Sequence, residues 1–273
     1  MKRALLLLLL AGCETILGLG ETTFTGANDA PPMPDAPKPT DACATCGTFT
    51  SCHQLETQQP NAPSGVYNID SGTGMFSAYC DQTGDGGGWT LAMKVDGRSQ
   101  IFAYDRTIWE DATLLAPNAS GFDHTEAKLE TFNAIGFTEL RIGMEYPIDS
   151  GTIRYLVVPL AGAKMTELFA PNQQKLTMLG RDAWKGLMGP TASLQPNCNL
   201  EGTNIYHAQM RVRLGIIANE QADCNTPDSR LGVGGDAAAL CNIDPNRPAG
   251  NISCYGGDNG DVELAAFAWV FVR

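Results

Sequence analysis

Short β-prone runs alternate with turn residues along the first half of the chain. Residues 66–70 and 76–80 are two such runs, and the Gly/Ser/Thr cluster 71–74 between them is typical of a hairpin connection. Composition predicts further strands at 89–94, 140–144, 153–160 and 209–217. The C-terminal run 264–273 is almost continuously apolar. We therefore expect it to be buried on both faces, in the middle of a sheet.

A few short helices are predicted between the strands. Asp123 can cap a helix over 123–132, which places Leu129 and Phe132 on one face. Shorter helices are expected at 164–169 and 181–187. The loops between 219 and 261 are long and rich in Gly, Asn and Asp, as functional or pinned loops often are. The pattern predicts a single disulfide-bonded α+β domain with a short-stranded mixed sheet, short helices and these long loops.

The N-terminus resembles a bacterial lipoprotein signal. Lys2 and Arg3 precede an apolar run, 4–10, that is too short to span a bilayer, and the small residues Ala11-Gly12 lie directly before Cys13. The resemblance implies cleavage after residue 12 and acylation of Cys13, with palmitate among the attached chains and stable membrane attachment as the result. An ordinary secretory signal with an incidental cysteine is the alternative.

Three segments follow from this interpretation. Residues 1–12 are the signal peptide, 13–46 a lipidated tether, and 47–273 the folded domain. The tether contains the proline-dense stretch 30–40, whose composition cannot form a packed core. We expect a lipoprotein of the cell envelope, held at the outer membrane or the cell surface by its lipid anchor. The formal charge of −12 argues against nucleic acid as a partner.

Four ordered motifs near the start of the domain resemble the opening of a fibrinogen C-terminal-like domain. They are Cys52, Ser64-Gly65-Val66-Tyr67, Tyr79-Cys80-Asp81 and Gly86-Gly87-Gly88-Trp89-Thr90-Leu91. The second half resembles a narrower branch, the intelectin-type lectins. The residues that carry this second resemblance are Asn219-Glu220, Cys224-Asn225-Thr226, Gly232-Val233-Gly234-Gly235 and the final strand ending at Arg273. Together the resemblances span 52–273 and are poor over 97–190.

The cysteine count indicates an oxidising compartment. Nine cysteines leave eight when Cys13 is acylated, an even number that permits complete pairing. Proximity and the resemblance favour three disulfides: Cys52–Cys80, Cys198–Cys224 and Cys241–Cys254. Cys43 and Cys46 then pair with each other or with a late cysteine. A zinc site or a redox motif is the rival interpretation of that Cys-x-x-Cys spacing.

Intelectin-type lectins bind exocyclic vicinal diols of microbial sugars through a calcium ion, which takes roughly six to eight oxygen ligands. Carried over to this chain, Asn225 stands at the position of a ligand asparagine and Asp228 at that of a ligand histidine. The ligand glutamate of the family falls near Ala239, which cannot coordinate, and Asp236 lies close to it. Tyr255 is the nearest candidate for the aromatic wall. The resemblance implies a sugar site at Asp228, Asp236 and Tyr255.

A second acidic group can hold a hard cation. Asp258-Asn259-Gly260-Asp261 places oxygen-bearing side chains around a glycine turn, although not at EF-hand spacing. The residues that we expect to contribute are Asp244, Asp258, Asn259, Asp261 and Glu263. A solvated turn in an acidic protein is the alternative.

Catalytic motifs are missing from the sequence. Its three histidines, His53, His124 and His207, form no His-Glu-x-x-His pattern, and no Gly-x-Ser-x-Gly elbow occurs. We therefore expect a binding module and not an enzyme, with calcium-dependent glycan recognition as its function. A structural or protein-adhesion domain without sugar binding is the alternative, so the expected partner is a glycan or a surface protein.

Overall fold

A computed structural model describes residues 48–237 and 247–273. The chain divides into two units, Met1–Ala44 and Thr45–Arg273, and all described residues belong to the second. The predicted signal peptide and tether lie outside the described residues. The same holds for several predicted site residues, namely Cys13, Cys43, Cys46, Cys241 and Asp244.

The described residues contain thirteen strands and four short α-helices. The strands are β1 (Gly65–Asp70), β2 (Met75–Asp81), β3 (Trp89–Asp96), β4 (Ala127–Lys128), β5 (Leu140–Glu145), β6 (Ile153–Val158), β7 (Lys175–Leu176), β8 (Asn197–Tyr206), β9 (Met210–Asn219), β10 (Ser229–Ala237), β11 (Ala249–Ser253), β12 (Val262–Ala265) and β13 (Phe267–Val272). The helices are α1 (Cys52–Gln58), α2 (Thr131–Ala134), α3 (Met165–Leu168) and α4 (Arg181–Gly186). Single 3₁₀ turns occur at Gly84–Gly86, Thr107–Trp109 and Gly189–Thr191.

Two antiparallel sheets form the framework. The first has the order β1-β2-β3-β13-β5-β6, with β4 pairing with β3, and the second has the order β12-β11-β10-β9-β8-β7. The expectation of a mixed sheet was wrong: every pairing between these named strands is antiparallel. Many of the pairs join strands that follow each other in the chain, and short connections allow only antiparallel pairing.

The main hydrophobic core is built from both sheets. Ile142 and Met144 of the first sheet belong to the same buried cluster as Ile216 of the second. Trp184 of α4 is fully buried in this cluster, and its indole Nε1 donates a hydrogen bond of 2.6 Å to Oε2 of Glu201. The core thereby fixes the second sheet, which carries the candidate site.

The C-terminal apolar run forms a central strand, as predicted, but only over Phe267–Val272, because residues 264 and 265 belong to β12 at the edge of the second sheet. β13 pairs with β3 on one side and with β5 on the other, and all six of its residues are buried. Two predicted disulfides are also confirmed: Cys52–Cys80 and Cys198–Cys224, with Cα atoms 5.3 Å and 5.0 Å apart. Cys254 is disulfide-bonded as well, and its predicted partner lies outside the described residues.

One helix prediction was wrong and one helix was missed. The segment 123–132 is not one helix but contains β4 followed by the one-turn α2. Lys128 is fully buried there, and its Nζ donates to the carbonyl oxygens of Ile108 (2.6 Å) and Asp111 (2.5 Å), so tertiary hydrogen bonds override the local pattern. The helix α1 was not predicted, although Ser51 caps it by accepting a hydrogen bond of 3.2 Å from the backbone N–H of Gln54.

Candidate binding site

The end of β9, the start of β10 and the end of β11 lie side by side, where these three inner strands of the second sheet terminate. Their register shows this directly, because Ser229 pairs with Ala218 on one side and with Ser253 on the other. Glu220 follows β9 and Asp228 precedes β10, so antiparallel pairing brings these two acidic residues together. We call this region the β9–β11 edge.

A buried amide lies at the centre of the β9–β11 edge. Nε2 of Gln195 is 2.9 Å from Oε2 of Glu220 and 3.2 Å from each of the carbonyl oxygens of Cys254 and Tyr255. Oε1 of the same fully buried side chain accepts a hydrogen bond of 3.1 Å from the backbone N–H of Asp228. An amide nitrogen carries two N–H donors. Three oxygen acceptors from two separate loops therefore converge on one small polar group.

The carboxyl group of Asp228 is in an unfavourable place for a negative charge. Burial raises its pKa to about 6, and the charge of Glu220 and a hydrogen bond with that residue act in the same direction, against a hydrogen bond with the Gln195 side chain. Asp228 is only 7% exposed. Two carboxyl groups in contact at such a position favour either a shared proton or a cation between them.

The loop between β9 and β10 is covalently pinned beside this edge. The Cys198–Cys224 disulfide ties it to β8, and Nδ2 of Asn219 donates a hydrogen bond of 2.8 Å to the carbonyl oxygen of Asp223. Asn225 is exposed on this loop, and Tyr255, which follows β11, is 60% exposed. Both predicted residues therefore remain accessible to a ligand.

The structure does not bring Asp236 to the same place. Asp236 lies near the far end of β10. It is eight residues beyond Asp228, a separation of roughly 25 Å along an extended strand. Its carboxylate forms an ion pair with Arg211 and accepts a hydrogen bond of 2.7 Å from the backbone N–H of Ala237.

The carboxylate of Asp258 is engaged by basic side chains. Nη2 of Arg181 lies 2.7 Å from it, Nζ of Lys185 forms a second ion pair, and the backbone N–H of Leu194 donates a hydrogen bond of 3.1 Å. Burial alone would raise the pKa of Asp258, but the hydrogen bonds from Lys185, Leu194 and Arg181 outweigh it and lower the pKa to about 2. The negative charge here is already neutralised by the protein.

The neighbours of Asp258 are placed differently. Nδ2 of Asn259 donates a hydrogen bond of 2.9 Å to the carbonyl oxygen of Pro190, Asp261 is exposed, and Glu263 forms an ion pair with Arg247. Within 48–237 and 247–273, no group of three or more His, Cys, Asp and Glu side chains is arranged to hold a metal ion. Any cation at the β9–β11 edge would therefore depend on backbone and amide oxygens in addition to two carboxylates.

Two residues of the edge could not be assigned from the sequence. Glu220 stands in the Asn219-Glu220 pair that carries part of the family resemblance, but nothing in that pair marks it as a site residue. Gln195 carries no local signal at all, because its partners are between 25 and 60 residues away along the chain.

Comparison with known proteins shows similarity to solved structures but no matching family model. Among solved structures, the fibrinogen-like globe domain of human ANGPTL6 is similar, with 14% sequence identity, 83% of this chain and 96% of that chain covered, and a TM-score of 0.35. Within the described residues, no helix has the length and apolar character needed to cross a membrane.

Proposed function

We propose that this protein is a non-enzymatic binding module of the fibrinogen-like group that recognises glycans through a calcium ion at the β9–β11 edge. The observation that carries the proposal is the convergence of oxygen atoms on Nε2 of Gln195. Glu220, Cys254 and Tyr255 each direct one oxygen at this point, and the carboxyl group of Asp228 lies next to it.

The donor set suits calcium. Carboxylate and carbonyl oxygens are its preferred ligands, and it tolerates irregular geometry with roughly six to eight of them. The residues that would hold the ion are Asp228, Glu220 and the backbone of Cys254 and Tyr255, with Asn225 from the same β9–β10 loop. A bound calcium ion would supply coordination positions at which two sugar hydroxyls can replace water.

The surroundings of the edge favour a sugar over other ligands of the ion. The exposed Tyr255 offers an apolar ring face with a polar hydroxyl, a combination that matches the apolar C–H face and hydroxyl rim of a pyranose. The exposed amide of Asn225 adds a neutral donor and acceptor. The N-terminal lipoprotein pattern supports a position in the cell envelope, where such a module would meet microbial glycans.

A protein-adhesion or structural domain is the second candidate function. One observation favours it: the amide of Gln195 already donates hydrogen bonds at the point where the oxygens converge, so this edge has an internal partner other than a metal ion. Asp258 is neutralised by Arg181 and Lys185 in the same way. A protein partner would then use the exposed loops without calcium.

A glycan array of microbial saccharides, with and without exocyclic diols, separates these functions. The full chain is applied in millimolar calcium and in chelator, beside Asp228→Asn and the exposed control Asp182→Asn. Calcium-dependent binding to diol-bearing sugars supports the proposal if Asp228→Asn loses this binding and Asp182→Asn retains it. Binding that is indifferent to calcium and to Asp228→Asn contradicts the calcium mechanism. The absence of any glycan binding favours the adhesion domain.

A further inference from the structure

A second cleft lies at the other end of β8 from the β9–β11 edge. It has a volume of about 570 Å³ and is lined by Tyr104, by the loop 171–174 and by residues of β8 and β9. Gln195 stands just before β8 and Tyr206 ends it, so the two regions are roughly 30 Å apart along the strand. The sequence patterns do not mark this cleft. We call it the Tyr104–Tyr206 cleft.

Two tyrosine rings form its wall. The centroids of Tyr104 and Tyr206 are 6.1 Å apart with the rings tilted by 45°, and Tyr206 is 59% exposed. The guanidinium of Arg211 lies 5.5 Å from the Tyr104 ring and 5.8 Å from the Tyr206 ring. This contact holds the pair in place. The exposed Tyr206 presents an apolar ring face edged by a hydroxyl group, and the half-buried Tyr104 continues this wall at an angle.

Neutral amides face the same space from the loop. Asn172, Gln173 and Gln174 all line the cleft, and all three are exposed. Each carboxamide offers two N–H donors and an acceptor oxygen. An apolar wall opposed by a few polar groups that fix orientation is the usual composition of a small-molecule site.

The cleft is organised before any ligand binds, because one buried arginine joins three of its segments. Arg213 is 5% exposed and donates hydrogen bonds to the carbonyl oxygens of Tyr104 (2.7 Å) and Phe169 (3.3 Å) and to Oε1 of Glu110 (2.8 Å). Its Nη1 also donates a hydrogen bond of 3.0 Å to Oδ1 of Asn204. Fixed segments lower the entropic cost of binding a ligand.

The loop is fixed in turn by Asn204. Nδ2 of this buried side chain donates to the carbonyl oxygens of Leu168 (3.2 Å), Ala170 (3.4 Å) and Gln173 (2.6 Å). The hydrogen bonds from Asn204 therefore fix the backbone of the loop. Only the exposed amide side chains need to adjust to a ligand.

The charges of the cleft point to a neutral ligand. Arg213 is paired with Glu110, and Arg211 is paired with Asp236 and lies 3.7 Å from Asp105. Both guanidinium groups are thus balanced, in a chain whose formal charge is −12. An anionic ligand would find no uncompensated arginine here and would meet the repulsion of the acidic surface.

We propose that the Tyr104–Tyr206 cleft is a second carbohydrate subsite, which binds neutral pyranose oligosaccharides without a metal ion. The C–H face of a pyranose stacks on the tyrosine wall, and its hydroxyls bond with the amides of Asn172, Gln173 and Gln174. This subsite uses none of the residues of the proposed calcium site. The subsite can therefore be tested independently of the calcium site.

Saturation-transfer difference NMR in the presence of chelator tests the subsite. The probes are cellohexaose, maltohexaose, chitohexaose and xylohexaose, with hexagalacturonic acid as the anionic comparison. We expect at least one neutral hexaose to receive saturation from the full chain. Tyr206→Ala should weaken that binding at least tenfold, Tyr206→Phe should retain it, and the comparably exposed control Met75→Ala, in β2 of the other sheet, should leave it unchanged.

Three results would overturn the proposal: no neutral hexaose binds in chelator, Tyr206→Ala binds like the unaltered protein, or hexagalacturonic acid is preferred. Because Tyr206 is exposed at the end of a strand, its replacement leaves the core intact, and equal thermal midpoints will verify this. Failure of the calcium site appears differently, as binding of diol-bearing sugars that neither calcium nor Asp228→Asn alters, so the two outcomes are distinguishable.

Discussion

Glu220 and Asp228 are bridged by a single buried amide, since Gln195 donates to Oε2 of Glu220 at 2.9 Å and accepts from the backbone N–H of Asp228 at 3.1 Å. A neutral group thus occupies the position between two acidic residues at which a cation would be stabilised most. The charge of Glu220 nevertheless opposes the ionisation of Asp228 beside this amide. This residual repulsion is what a bound cation would relieve, and it can be measured.

The pH dependence of stability should reveal the repulsion. The pKa of Asp228 is raised to about 6, above its ordinary value near 4, so the folded state binds more protons than the unfolded state between about pH 4 and pH 6. The free energy of unfolding in chelator should therefore fall by roughly 2 kcal/mol as the pH rises through this window. Asp228→Asn should remove this part of the slope and stabilise the metal-free protein at pH 7. Urea unfolding from pH 4 to 7 measures both effects, and an unchanged slope in the variant would contradict the assignment.

The buried Arg141 should be essential to the first sheet. It is fully buried, forms ion pairs with Asp81 and Asp85, and lies over the rings of Trp89 and Tyr155. Arg141→Met would leave the partner carboxylates without their cation, and we expect a loss of about 3 to 5 kcal/mol. Denaturant unfolding at pH 7 checks this, with the exposed Arg98→Met as the control. A loss of less than about 1 kcal/mol would show that the ion pairs are dispensable.

The same substitution should change the acid limit of folding. Burial alone would raise the pKa of Asp81, but hydrogen bonds from the backbone of Gly84, from Arg141 and from Thr83 lower it to about 2. A lowered pKa stabilises the fold above about pH 4, and this stability is lost as the pH falls toward 2. Without Arg141 the acid transition should move to higher pH. Circular dichroism along an acid titration gives the midpoint, and coincident midpoints would refute this role.

Removal of the first disulfide should cost about 3 kcal/mol. Cys52 and Cys80 are 28 residues apart in sequence and both are fully buried, so the bond restricts the unfolded chain and its loss exposes no new polar surface in the native fold. The double variant Cys52→Ala/Cys80→Ala, which buries no new hydroxyl group, should show this difference in denaturant unfolding. A stability within about 1 kcal/mol of the unaltered protein would show that α1 and β2 are held mainly by packing.

Asp258 should contribute to stability in the same way with and without calcium. Its partners are Arg181, Lys185 and the backbone N–H of Leu194, which together satisfy the carboxylate. Asp258→Asn should therefore lower the thermal midpoint by the same amount in millimolar calcium and in chelator. A calcium-induced rise in midpoint that disappears in this variant would instead assign a metal ion to the predicted acidic group around Asp258.

Patterns of apolar residues predict the parts of the fold that depend on burial alone. The continuous apolar run of β13 correctly indicates a central strand, and the spacing of Cys52 and Cys80 indicates their bond. The helix predicted at 123–132 is wrong because Lys128 donates hydrogen bonds to carbonyl groups of a distant loop, and a local pattern carries no information on such contacts. The sequence does not identify Gln195 as a site residue for the same reason. Its partners Glu220, Asp228 and Tyr255 are 25, 33 and 60 residues away, and only the pairing of β9, β10 and β11 brings them together.

Calorimetric titration of calcium into the chelator-stripped protein tests the central claim most directly. The unaltered chain should bind one calcium ion at the β9–β11 edge, and Asp228→Asn should abolish this binding. Asp236→Asn is the matched control, because Asp236 is a similarly buried aspartate near the other end of the same strand, and it should bind calcium like the unaltered chain. The absence of binding by the unaltered protein at millimolar calcium, or equal binding by Asp228→Asn, would contradict a calcium site at this edge.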